Sequence, residues 1–497
     1  MQPRRPPSAS DTPSDSWFGH PRGLTILFSA ELWERFSYYG MRALLVLYLI
    51  DALDLSSPDA YALYGSYGAV VYTFGVVGGW LAQRFMGTLR AIVLGGSLMA
   101  LGHLVMALPW DGGLYWALAL LCVGNGLFKP NVTTSVGMLY DEDDRARKQR
   151  GFRYFYMGIN IGGMLAPIVC SAVADTWGWH YGFGLAGVGM ALGLGVVVGG
   201  RHLLHTRSGR QPPAPSRRMM LGLVLAVLAM VPLGALLLWQ VAWGHLSVEL
   251  ATVAVLVVLG VVAVRQPGCV RARVIVLLVL MVFHTAFWAA FEQLGSSFTV
   301  LAEHHVEREL WGLVIPAPAL VAVNSALIIP LTPVMSRLWG RLARWRHEPG
   351  IPAKFALGLV LLGAGFLVLS LGVTEGATRA DATVALGWVL LCYLLMTVGE
   401  LCLSPEGLSV IDELSPEGMR SFCVGAWFLT YANGHLLAGW IATQTAAGTE
   451  AATTGLSRYA EVFGMVGMAA IGLAAGLWLL RGWLGRRLGD EPRPMGT

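Results

Sequence analysis

Apolar stretches long enough to cross a bilayer recur fourteen times along the chain, near 24–50, 61–85, 89–108, 113–138, 151–174, 180–200, 219–242, 246–264, 274–302, 313–336, 352–373, 383–410, 419–446 and 459–481. A helix rises about 1.5 Å per residue and the hydrocarbon core is about 30 Å thick, so about 20 apolar residues make one crossing. Without water, every backbone amide there must be bonded within its own segment or in a closed barrel, and runs of this length point to the helix. The chain reads as an all-α polytopic membrane protein. Its 497 residues are 55% hydrophobic and 13% charged, which excludes a water-soluble globule. Six scattered cysteines show no ligand spacing, so neither a disulfide framework nor a metal site is expected.

Charge outside the runs sets the orientation. Of 34 Lys and Arg, 28 fall in the N-terminal tail and in alternate loops or the span ends beside them, three in the other loops and three deep within spans. The positive-inside rule then places both termini in the cytoplasm of a multi-pass protein of the cell inner (plasma) membrane. Residues 1–23 are polar and Pro-rich, without the layout of a cleavable leader, and 482–497 form a second tail. After six spans (24–200), a basic, Pro-rich linker opens a segment with two extra helices (201–272), and a second group of six follows (273–481). The linker's charge fits a solvated loop or contact with anionic lipid. VGNGLFKP (123–130) and VGELCLSP (398–405) stand 275 residues apart, and Asn160 and Asn433 stand 273 apart, so the halves read as a parallel repeat in which Asn125 matches Glu400 and Lys129 matches Ser404. Such repeats bring a substrate site to the interface of the halves near the bilayer midplane.

Few charges lie deep inside the spans, away from their ends: Glu31, Glu34, Arg35 and Arg42 in the first, Lys129 in the fourth, and Glu292 and Glu400 in the second half. With 3.6 residues per turn, positions 31, 34, 35, 38 and 42 fall within about 60° of one line, with Tyr39 at its edge. One face of the first span is therefore wet. Charges in a bilayer are expensive and face an interior or an aqueous path, where carboxylates beside an arginine can switch protonation. A permanently paired structural network is the competing reading.

The run Glu31-Leu-Trp-Glu34-Arg35-Phe36-Ser-Tyr38-Tyr39-Gly40 matches E-x-x-E-R-F-x-Y-Y-G, the signature of the proton-dependent oligopeptide transporters of the major facilitator superfamily, which the sequence resembles over about 24–481. Phe155-Tyr156-Met-Gly-Ile159-Asn160-Ile-Gly162 and Gly126-Leu-Phe-Lys129-Pro130-Asn131 are further matches. The resemblance implies the major facilitator fold, two six-helix bundles with two extra helices between them as in bacterial members. It implies proton coupling by Glu31, Glu34, Arg35 and Lys129, with Arg42 and Glu292 as a proton-linked pair between the halves that helps close the outer side. It assigns the peptide carboxylate to Arg35, Tyr39, Tyr72, Lys129 and Asn160, the amino group to Asn324 and Glu400, and the side-chain pockets to Tyr38, Trp288, Trp427 and Phe428. For the aromatics, helix packing or an interfacial belt is the alternative.

The function so implied is proton-coupled symport of di- and tripeptides by alternating access. Its partners are short peptides, protons and the bilayer, with no nucleic acid, no cofactor and no metal, and the chain is read as a monomer. Gln83 stands where the superfamily usually has Asp, and Ser325 where the family usually has Pro after the Asn. His103 and His284 match no family motif and read as hydrogen-bonded helix contacts. No catalytic motif stands in plausible spans, so the chain does not read as an enzyme. The alternatives are a symporter of the same fold for nitrate or a drug-like anion, and a sensor that binds without moving solute.

Overall fold

The computed structural model describes residues 16–17, 19–110, 112–141, 144–204, 211–266, 268–417, 419–446 and 452–488. Most of both tails, with their expected cytoplasmic placement, and 205–210 of the basic linker lie outside the described residues. Helix follows helix: α1 Gly23–Leu47, α2 Ser57–Leu81, α3 Thr88–Ala107, α4 Gly113–Met138, α5 Arg145–Trp177, α6 Trp179–Gly200, α7 Arg217–Trp239, α8 Val241–Arg265, α9 Gly268–Phe291, α10 Ser297–His305, α11 Ala322–Arg344, α12 Ile351–Thr378, α13 Leu386–Leu414, α14 Arg420–Ala446 and α15 Ala452–Leu488. The ends run past the apolar stretches, as at Arg145 and Leu488.

The expected single span at 274–302 is broken. The 3-10 turn Glu292–Gly295 separates α9 from α10; with these two counted as one broken rod, the fifteen helices make fourteen rods among the described residues. Buried side chains take up the bonding that the break disturbs: Gln293 Nε2 donates to the carbonyls of Ala289 (3.2 Å) and Ala438 (2.9 Å), and Ser297 Oγ donates to Gln293 Oε1 (2.7 Å). Ten rods among the described residues are long and apolar enough to cross a membrane by length and composition. The other four, α1, α2, α4 and α14, carry the α1 charges, Tyr72, Lys129 and Trp427.

Contacts divide the chain into two compact units. Unit 1 holds Met1–Met41, Phe74–Ala166 and Trp177–Ala235; unit 2 holds Arg42–Thr73, Pro167–Thr176 and Leu236–Thr497. In unit 1, α3 and α4 cross at glycine: a Cβ on Gly95 would lie 2.5 Å from the Gly124 carbonyl oxygen, and one on Gly124 would lie 2.7 Å from that of Gly95. In unit 2, α12 and α13 cross the same way, at Gly358 and Gly399, with 2.9 and 2.8 Å for the same test. Gly124 and Gly399 are 275 residues apart, the offset of the sequence repeat. Lipid is as apolar as the helix faces, so close backbone approach at small residues has to supply the attraction. Unit 2 adds an aromatic core in which Phe463 meets Phe298 (5.0 Å) and Phe366 (5.6 Å) edge-on.

These crossings predict a local cost. Gly124→Ala puts a methyl group where no space exists and should lower stability by about 1–3 kcal/mol, as overpacking does. Gly195→Ala, with nothing within 4 Å of its added Cβ, should leave stability unchanged or raise it. Thermal unfolding of the purified protein in detergent micelles checks both; equal melting temperatures for the two variants would contradict the packing argument.

Candidate functional site

In unit 1, the wet face of α1 meets α4. Glu31 and Glu34 are fully buried, and Arg35 is 8% exposed. Arg35 forks onto Glu34, Nε to Oε2 at 2.5 Å and Nη2 to Oε1 at 2.6 Å, and its Nε lies 3.5 Å from Glu31 Oε1. From α4, Lys129 Nζ donates to Glu31 Oε1, and Asn125 Nδ2 donates to Glu34 Oε1 at 2.9 Å. Two carboxylates thus share two cations, which makes the buried set neutral overall. The guanidinium lies over the rings of Tyr38 (4.8 Å) and Tyr39 (5.7 Å), and Lys129 over Phe155 (5.9 Å). Glu31 Oε2 is buried without a hydrogen-bond partner. Because Lys129 and Arg35 meet on one oxygen of Glu31, a proton on this carboxylate would loosen both cations at once. Asn160 is buried on α5, but its Nδ2 donates to the Tyr156 carbonyl one turn back (2.9 Å), not to the charged set. His103 bonds Ser37 of α1 and is a helix contact, as expected.

Unit 2 brings the remaining predicted residues into three groups. Arg42 donates through Nη2 to Glu292 Oε2 and through Nε to the Tyr64 hydroxyl (2.8 Å). Glu292 is presented by the turn that breaks α9 from α10. The second group is an aromatic wall. Tyr72 stacks on Tyr431 (5.0 Å, 10° between planes) and lies 6.5 Å from Phe428, while Trp288 and Trp427 close on His284. Thr430 donates to the Trp427 carbonyl (2.6 Å), so its hydroxyl accepts from His284 Nδ1 (2.6 Å), and Nε2 is left to accept from the Trp288 indole (3.0 Å). His284 is the hydrogen-bonded contact expected of it, and it fixes the pose of Trp288. The third group is Glu400, 8% exposed, whose Oε2 accepts from Asn324 Nδ2 (2.9 Å); that amide also reaches Thr397 Oγ1 (3.1 Å). Asn324 is thus held although Ser325 follows it. Gln83 is exposed in the π-helical turn Ala82–Met86 that ends α2.

Several participants escaped the sequence reading as site residues: Asn125, Tyr64, Thr397 and Tyr431. The signal for one of them was available, since Tyr431 stands four residues after Trp427 on α14 and so shares its face. Asn433, paired with Asn160 by the repeat, shares its habit: Nδ2 donates to the Leu429 carbonyl (2.8 Å) and also to Thr252 on α8 (2.8 Å).

The Arg42–Glu292 pair yields a test. Arg42→Ala or Glu292→Ala alone leaves a charge without its partner and should cost about 3–5 kcal/mol of stability in unit 2, whereas the double variant should cost much less than the sum. A double-mutant cycle on detergent unfolding reads the coupling; additive losses would contradict it.

A family model described as PTR2, POT family, matches residues 89–462. The chain is 34% identical over 460 residues to the peptide transporter YePEPT of Yersinia enterocolitica, covering 87% of this chain and 90% of the relative. It is 32% identical to dipeptide and tripeptide permease A of Erwinia pyrifoliae, covering 96% of each. The crystal structure of a mutant of the peptide transporter POT in complex with alafosfalin superposes with a TM-score of 0.83 at 35% identity, covering 96% of this chain and 97% of the other. The architecture is thus the major facilitator fold seen in POT transporters. On the family model and these relatives together, the chain belongs to the POT family.

Proposed function

We propose that this integral membrane protein imports di- and tripeptides together with protons, by alternating access. The observation that carries the reading is the chemistry of the two charged sets. Glu31 is shared by two cations and keeps one oxygen unbonded, so a proton can enter there and release Lys129 and Arg35 to an anion. Glu400, in contrast, is held by an amide and has no ion pair among the described residues, so it lacks an ammonium. A peptide offers both groups, and nitrate offers only one. Arg35, Lys129, Tyr39, Tyr72 and Asn160 take the peptide's carboxylate end, Asn324 and Glu400 its amino group, and Tyr38, Trp288, Trp427 and Phe428 its side chains. Arg42 and Glu292 act as the outer gate. The division into bundles 24–200 and 273–481, with 201–272 between them, remains our reading of the chain. So do the inner-membrane location, the cytoplasmic termini, the monomeric state, and a drive supplied by the proton gradient with no cofactor and no catalysis.

The test is competition against labelled dialanine. Free di- and tripeptides should compete best, an N-acetylated or C-amidated dipeptide should compete at least about tenfold less well, as loss of a charged hydrogen bond implies, and Glu400→Gln should blunt the penalty of the acetyl cap alone. Competition by nitrate and none by free dipeptides would transfer the assignment to the anion symporter.

A further inference from the structure

His435 is a buried histidine that the reading above does not use. It lies on α14 at 1% exposure, and neither ring nitrogen has a hydrogen-bond partner. Its Nε2 stands 3.7 Å from Glu292 Oε1, too far for a hydrogen bond, on the carboxylate oxygen opposite the one that Arg42 holds. The ring is positioned, not loose: it stacks on Tyr72 (5.4 Å, 27° between planes). It also sits over Gly68, where a Cβ would come within 2.4 Å of Nδ1, so only glycine at 68 leaves room for it. Charged and titratable groups beside it among the described residues are Arg42 from α1, Tyr72 from α2 and Glu292 from the turn, with Tyr64 of α2 held on Arg42. A buried imidazole with two empty positions is costly unless a second state fills them.

We propose that His435 is a proton-binding residue of the transport cycle that, as imidazolium, takes Glu292 over from Arg42. One proton delivered by hydronium from the bulk, which leaves as water, adds to the ring nitrogen that carries the lone pair, Nε2–H donates to Glu292 Oε1, and the Arg42–Glu292 hydrogen bond breaks. The exclusion is electrostatic. A proton on His435 would put a second cation beside Arg42 with one carboxylate between them, and unlike the Glu31 set, which has a second carboxylate in Glu34, this set would then carry a net positive charge in a buried site. Protonation and the closed Arg42–Glu292 pair therefore oppose each other, and by linkage a proton favours the state in which Arg42 has left.

This inference rests on the proton-coupled reading, and the experiment separates the two. Dialanine uptake into proteoliposomes is measured at external pH 6 and pH 8 with the interior fixed, for wild type, His435→Gln and His435→Asn, with exchange at equal pH as the measure of folded carrier. Loss of one titrating group should lower the pH 6 to pH 8 uptake ratio at least about threefold in both variants while exchange stays within about twofold. A ratio unchanged from wild type, with exchange intact, overturns the role of His435 alone. A wild type without any pH response overturns the coupled reading and this inference with it. If neither variant folds, 15N-histidine spectra of Arg42→Gln decide: one more imidazolium signal at pH 6 than in wild type supports the exchange of partners, and equal numbers overturn it.

Discussion

The structure depends on the need to give every buried charge a partner. A charge left alone in the hydrocarbon region costs at least a few kcal/mol, comparable to a sizeable part of a protein's whole stability. The α1 charges therefore dictate what stands around them. Glu31 calls for Lys129, Glu34 calls for the Arg35 fork and Asn125, and Arg42 calls for Glu292 and Tyr64. The last of these explains a feature of the backbone. To present Glu292 inside a span, the chain breaks α9 with a 3-10 turn, and Gln293 and Ser297 absorb the disturbance.

Two histidines in unit 2 show how the same residue type becomes structure or chemistry. His284 has both nitrogens engaged, one with Thr430 and one with the Trp288 indole, so adding a proton would cost it an existing bond; it is a fixed support for an aromatic wall. His435 has neither engaged and faces a carboxylate at 3.7 Å. Both rings are buried, and what separates them is the inventory of partners.

Much was legible in the sequence because a bilayer limits the choices. Run length gave fourteen rods, and helical spacing gave the stripe on α1, because the first depends only on the rise of the helix against the bilayer thickness and the second only on its period. The 275-residue repeat was visible in VGNGLFKP and VGELCLSP, and the structure ties it to matching glycine crossings at Gly124 and Gly399. Other features were hidden for physical reasons. The break at Glu292 depends on a backbone carbonyl of a distant helix, that of Ala438, accepting from the Gln293 side chain, and no local pattern announces it. His435 was passed over because a single histidine in an apolar run carries no meaning until its neighbours are known. The bond of Asn160 to its own helix likewise could not be read from a motif.

The central claim is that protonation of the α1 carboxylates drives peptide movement. It is tested most directly by accumulation of labelled dialanine in proteoliposomes under an inward proton gradient, with wild type and Glu31→Gln side by side. The account predicts concentrative uptake by wild type that an uncoupler abolishes, and loss of that uptake in Glu31→Gln with exchange at equal pH still present. Concentrative uptake by Glu31→Gln equal to that of wild type, or uptake by wild type indifferent to the gradient, would contradict it.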